Sequence, residues 1–172
     1  RVLKGHIAVS RAVLTKHTTG VEVDALARAP LKEVGLNYGH GTGHGVGSYL
    51  SVHEGPQGIG SYWTRPYETG MIVSNEPGFY KEGEYGIRIE NLEMVQEGKK
   101  GQKYFKSLTL APLDVNCMDL SLLDKAEIEW INDYHARVYE AIAPQLEPHE
   151  KQWLYDVTRP LAAQKKKFLG IF

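Results

Sequence analysis

Six glycines and three histidines crowd the stretch from Leu36 to Pro56, and no regular helix accommodates that composition. At its centre, Gly39-His40-Gly41-Thr42-Gly43-His44-Gly45-Val46-Gly47 sets two imidazoles four residues apart among five glycines. Glycine permits tight turns and close approach of backbone to a ligand. A phosphate cradle is the first thing to test. The stretch matches neither G-x-G-x-x-G nor G-x-x-x-x-G-K-[ST], so phosphate binding has no support here. Its histidines point to metal or acid–base work instead. A flexible glycine loop with two exposed imidazoles carries about equal weight on composition alone.

The regular elements must then lie on either side of this stretch. Upstream, Val2, Leu3, Ile7, Val9, Ala12, Val13 and Leu14 share one helical face, which predicts a helix from Val2 to Leu14. A second helix is expected from Val21 or Glu22 to Val34, stopped by Gly35 and kinked or divided at Pro30. Downstream, Ser48–Val52, Met71–Ser74 and Gly86–Gln96 read as strands, the last losing clean phase at Leu92. Glu97-Gly98-Lys99-Lys100-Gly101 predicts a hairpin turn, with Tyr104–Leu113 as the returning strand. Residues Asp124–Ile142 have a near-3.6 period, and a last helix is expected from Pro148 to Leu161. Lys165–Lys167 reads as a frayed, solvated tail. Helices and strands segregate rather than alternate, so the fold class is α+β.

The remaining composition bounds the function. At 172 residues the chain suits one domain of ordinary size. Twenty basic against 21 acidic residues give a net charge of −1, with no electrostatic footprint for nucleic acid. No run approaches the roughly 18 apolar residues of a membrane helix, and no signal-peptide pattern opens the chain. The single cysteine, Cys117, excludes an internal disulfide framework and any multi-cysteine metal site; it is expected to be a small buried residue. The chain opens on Arg1, as expected of a processed or truncated product.

Three further residues are chemically suggestive. His53 sits in Val52-His53-Glu54-Gly55-Pro56, which is not H-E-x-x-H. Glu76 follows an apolar run in Ser74-Asn75-Glu76-Pro77-Gly78. Glu90 sits in Gly86-Ile87-Arg88-Ile89-Glu90-Asn91, on the same strand face as Arg88 by the period of two. Singly, each carboxylate reads best as a solvated surface group. Together, one imidazole and two carboxylates form a mixed N/O donor set suited to Mn²⁺, Zn²⁺, Co²⁺ or Fe²⁺. Ser48 and Ser74 lie in no G-x-S-x-G elbow. His6, His17, His135 and His149 need no special role.

Leu36–Pro56, Met71–Tyr80 and Gly86–Val95 resemble, in order, the motifs of the pita-bread metallopeptidases, which include methionine aminopeptidase, prolidase and Xaa-Pro aminopeptidase. Leu108-Thr109-Leu110-Ala111-Pro112-Leu113 and Trp130-Ile131-Asn132-Asp133-Tyr134-His135 resemble the end of the long Xaa-Pro aminopeptidases. The resemblance implies a pita-bread fold of helices on a curved antiparallel sheet. Residues 1–172 would be the C-terminal half of a catalytic domain, with a helical extension over 120–172. It implies His44, Glu76 and Glu90 as metal ligands, with Glu76 also the base and Glu90 bridging two metals. His40 and His53 would bind substrate and stabilise the tetrahedral intermediate, and Arg88 would orient its neighbours. The implied cofactors are two divalent ions, Mn²⁺ first, with Zn²⁺ or Co²⁺ as alternatives. The implied reaction removes the N-terminal residue from a peptide with proline in second position, in a cytoplasmic protein that forms a homodimer. The family's two aspartate ligands lie upstream of the helix that Val2–Leu14 resembles and have no counterpart here, so the chain alone is expected to be inactive. A prolidase or methionine aminopeptidase is the alternative enzyme. A peptide-binding domain without catalysis is the alternative outside enzymes, disfavoured by retention of all three ligands.

Overall fold

Helix α1 (Val2–Ser10) stops short of the expected Leu14. The chain turns at Arg11 and Ala12, whose N–H groups bond Ile7 and Val9. Val13 and Leu14 form a short strand, β1, paired to Tyr104 and Lys103. Val13 is 63% exposed and Leu14 fully buried, so burial here alternates with the period of a strand. Apolar spacing alone could not separate the two elements.

Helix α2 (Gly20–Lys32) follows, with Thr19 N–H bonded to the Glu22 carboxylate at 2.6 Å. Pro30 neither divides it nor ends it. It lies in the last turns, where the missing N–H forfeits a single helical bond. Gly35 has φ +74°, a conformation that suits a residue without Cβ, and the Gly35 and Leu36 N–H groups bond Lys32 and Leu31, both at 3.0 Å.

The computed structural model describes residues 1–161, which divide into two compact units at Thr109 and Leu110. In the first unit, β4 (Ile72–Asn75), β7 (Asn91–Glu97) and β8 (Lys103–Ser107) join β1 in an antiparallel sheet of order β1-β8-β7-β4. The β7–β8 turn is the expected hairpin, closed by Gly98 N–H on Gln102 at 2.7 Å. Two short pairs complete the unit: β2 (Gly43–His44) with β3 (Gly58–Ile59), and β5 (Gly78–Lys81) with β6 (Tyr85–Arg88). A bridge from Gly45 to Val73 ties the glycine stretch to the edge of β4. Val9, Leu14, Val23, Ile59, Val73, Val95 and Phe105 form the core between α1, α2 and the sheet. Glu93 is also fully buried, taking hydroxyl bonds from Ser10 at 2.5 Å and Ser107 at 2.8 Å.

Three strand expectations need correction. Ser48–Val52 is not a strand: Gly47 N–H closes on Ser51 at 2.8 Å and Leu50 has φ 52°, bending the chain and leaving Leu50 96% exposed. Gly86–Gln96 is two strands in different sheets, broken at Ile89 and Glu90. The loss of phase at Leu92 is the trace of that break. The returning strand ends at Ser107, not Leu113.

The second unit opens with 3₁₀ turns and then α3 (Lys125–Ile142) and α4 (Pro148–Val157). Asp124 and Glu127 form a reciprocal cap on α3. Tyr134, Val138, Ala143 and Leu154 pack together with Leu110, Leu113 and Trp130 at their edge. The last helix is shorter than expected, ending where Thr158 Oγ1 turns back to Leu154 O at 2.6 Å. Cys117 is exposed rather than buried, because the 3₁₀ turn Val115–Cys117 faces it outward beside Asp114, which raises its pKa. Lys165–Lys167 lies outside the described residues. The α+β class holds. No helix among the described residues is long and apolar enough to cross a membrane.

Candidate metal centre

The site begins with the fit of β2 against β4. An added Cβ on Gly43 would lie 1.8 Å from the Ser74 carbonyl oxygen, so only glycine allows this approach. The approach lets His44 N–H donate to Ser74 Oγ at 2.9 Å, while the Ser74 hydroxyl donates to Glu76 Oε1 at 2.8 Å. One serine thus orients both a histidine and a carboxylate. His44 Nδ1–H donates to the Gly45 carbonyl at 2.9 Å, which leaves Nε2 as the open nitrogen, 3.3 Å from Glu76 Oε1. Glu76 is buried and its N–H bonds Thr42 O at 2.8 Å.

Glu90 was expected within a strand, beside Arg88. It lies instead at the break between β6 and β7, exposed, with Ile89 N–H held by Pro77 O at 3.3 Å. That break turns its carboxylate toward the other two groups. One ligand atom from each of His44, Glu76 and Glu90 lies within 4.8 Å of the others. The set is one imidazole and two carboxylates without thiolate, a good match to a divalent N/O-binding ion. Ser74 and the Gly45 carbonyl supply the outer contacts that such ligands usually have. The donor set and its orientation therefore fit a metal.

The other predicted residues gather in the same place. His40, His44, His53, Glu76 and Arg88 line one cleft of about 400 Å³, with Tyr62 and Trp63 on its wall. The His53 ring meets His44 edge to face, 4.0 Å between centroids. Arg88 Nε–H donates to the Tyr80 hydroxyl at 2.8 Å, Tyr80 O–H donates to His40 Nε2 at 2.8 Å, and His40 Nδ1–H donates to Gly41 O at 2.8 Å. This chain fixes the tautomer of His40. The Tyr80 contact raises the Arg88 pKa above its ordinary value, with Glu76 and Glu90 adding in the same direction. Arg88 also stands 3.7 Å from Glu76 Oε2.

Sequence reasoning missed Tyr80, which follows Glu76 in the β5–β6 hairpin, and the group formed by Asp24, Arg28 and Thr42. Asp24 and Arg28 are an i,i+4 acid–base pair on a helix, a pattern that is visible in sequence. What they hold, across the turn to Thr42, is not.

A family model for metallopeptidase family M24 matches residues 1–97, and one for the C-terminal region of peptidase M24 matches residues 103–161. The chain is 46% identical over 173 residues to a probable Xaa-Pro aminopeptidase P of Coprinopsis cinerea, covering 94% of this chain and 28% of that protein. It is 46% identical over 172 residues to aminopeptidase P2 of Arabidopsis thaliana, covering 94% and 24%. The structure of X-prolyl aminopeptidase from Caenorhabditis elegans, described as a cytosolic enzyme with a di-nuclear active site, aligns with TM-score 0.86 and 42% identity, over 93% of this chain and 28% of that one. Prolidase from Pyrococcus furiosus aligns over 65% of this chain and 31% of its own, with TM-score 0.57 and 32% identity. The chain thus spans about a quarter of the length of the Xaa-Pro aminopeptidases it matches.

Proposed function

We infer the function from one premise: this chain belongs to metallopeptidase family M24, and it shares the pita-bread fold of its structural neighbours. On that premise it is the C-terminal part of an Xaa-Pro aminopeptidase, which removes the N-terminal residue from peptides with proline in second position. Residues 1–172 would be the C-terminal half of the catalytic domain, with its C-terminal extension beginning at residue 120. The observation that carries the reading is the convergence of His44, Glu76 and Glu90 within 4.8 Å, in a chain that keeps all three donors. That retention also weighs against a domain that only binds peptide.

His44, Glu76 and Glu90 would hold the metal, with further donors needed for a second ion. A divalent ion, Mn²⁺ by preference and Zn²⁺ or Co²⁺ otherwise, acidifies water and polarises a carbonyl when bound. Glu76 accepts a proton from the attacking water on Oε2, the oxygen that does not carry the Ser74 hydroxyl. His40 and His53 line the substrate cleft, and the bonds from Arg88 through Tyr80 keep His40 in one orientation. Tyr62 and Trp63 give the cleft an aromatic wall suited to a proline ring. The C-terminal match over residues 103–161 favours this reading over prolidase. We place the parent protein in the cytosol, as a homodimer acting on peptides and not on nucleic acid or membrane.

The test uses the full-length protein, stripped with a chelator and reloaded with Mn²⁺. Cleavage of an X-Pro-X tripeptide in preference to an X-Pro dipeptide supports the proposal. Preference for the dipeptide indicates prolidase, and release of N-terminal Met without proline indicates methionine aminopeptidase.

A further inference from the structure

Arg28 and Asp24 lie on α2, away from the metal donors, and both side chains are nearly buried, at 12% and 11% exposure. An ordinary helical ion pair would use its hydrogen-bonding groups on itself or on water. This one does not. Arg28 Nε bonds Asp24 Oδ2 at 2.8 Å, and the rest of the guanidinium turns to the glycine loop. Nη1 donates to the Tyr38 carbonyl at 2.8 Å and to Asn37 Oδ1 at 2.9 Å, and Nη2 donates to the His40 carbonyl at 2.6 Å. The same guanidinium lies 4.0 Å over the Tyr38 ring. Asp24 Oδ1 accepts the Thr42 hydroxyl at 2.6 Å, and the Thr42 oxygen is bonded by Tyr38 O–H at 2.5 Å. The Thr42 carbonyl in turn accepts the Glu76 N–H at 2.8 Å.

Two branches therefore leave one turn of α2. One ends at the main chain of His40 and the other, through Thr42, at the main chain of Glu76. We propose that Arg28 and Asp24 are positioning residues that set the spacing between the substrate-facing imidazole of His40 and the metal-side carboxylate of Glu76. Arg28 governs the first and Asp24, through Thr42, the second. A loop rich in glycine has no stiffness of its own, so its register over the cleft must come from outside it. The planar fork of Arg28 meets several acceptors at once, which a lysine ammonium cannot reproduce. The proposal rests on the reading of His40 as a substrate-binding residue.

The test is a double-mutant cycle in the full-length, Mn²⁺-loaded protein. Arg28→Lys keeps the charge and loses the fork. In the wild-type background it should lower kcat/KM for an X-Pro-X peptide by about 10- to 100-fold, with metal content per protein unchanged. In a His40→Ala background the same substitution should cost less than about twofold, because the main-chain bond remains available but the imidazole that it positions is already gone. Asn37→Ala removes one acceptor of the guanidinium at an exposed position. It should give a smaller loss with the same dependence on background, and it serves if Arg28→Lys does not fold. Thr42→Val, on the other branch, should instead lower metal affinity, by about tenfold. Equal losses from Arg28→Lys in both backgrounds, or no loss in either, would overturn the proposal while leaving the role of His40 intact. If His40→Ala alone leaves kcat/KM unchanged, the reading of His40 falls and the clamp falls with it.

Discussion

Ser74 connects the two ends of the metal site through a single oxygen. Its Oγ accepts from His44 N–H and donates to Glu76 Oε1. Ser74→Ala should leave the fold standing but reduce metal affinity by about 10- to 100-fold, as losses of outer contacts to metal ligands generally do. Competition against a chromophoric chelator measures it. Gly43 has no such tolerance. A methyl group there meets the Ser74 carbonyl at 1.8 Å, and neither strand can withdraw without releasing His44. Gly43→Ala is expected to cost more than about 4 kcal/mol, read as a collapse of the thermal unfolding midpoint. His44, Glu76 and Glu90 were singled out in the sequence because three motifs stand in the order of a known family; by residue type alone, among 21 acidic residues and seven histidines, neither carboxylate differs from a solvated surface group. Ser74 and Thr42 were not, since a hydroxyl is an unremarkable residue until its two partners are known.

Elements were legible where their period was long and undisturbed. Helix α3 has more than four turns of consistent apolar spacing and begins where expected. Its start is set by Asp124 and Glu127, each carboxylate bonding the other's N–H at 2.8 Å. Asp124→Ala should therefore destabilise the second unit by about 1 kcal/mol, seen as faster amide exchange in the first turn of α3. The short strands were the ones lost. Two residues, as in β1, β2 and β3, give no period to read, and their partners lie far along the chain. The run Gly86–Gln96 failed differently. It has strand composition throughout, and the break at Ile89 and Glu90 is imposed by pairing into two separate sheets. That break is what brings Glu90 to the site.

At the scale of the molecule, the core under the site holds a buried imidazole. His6 is fully buried, between the backbone of Asn75 and Ile89, and burial pushes its pKa down to about 4 from an ordinary 6.5. The unfolded chain then binds the proton more readily than the folded one. Stability is whole above pH 6.5 and falls as pH drops toward 4, by up to about 3 kcal/mol. Urea midpoints of the full-length protein across that window should show this slope, and His6→Gln should flatten it. The donor count sets a second expectation. Among the described residues three protein donors converge here, two short of the set implied by the family resemblance, so the 172-residue chain alone should show no Mn²⁺-dependent cleavage of an X-Pro peptide. Detectable turnover by the isolated chain would refute that.

The three donors stand at positions 44, 76 and 90, on β2, just beyond β4 and in the break after β6. No local segment contains two of them in register, so the site exists only once the distant strands have met. Metal capture is then a clock for the folding reaction. A fluorescent indicator competing for the ion should stay bright through helix formation and dim only as the sheet closes.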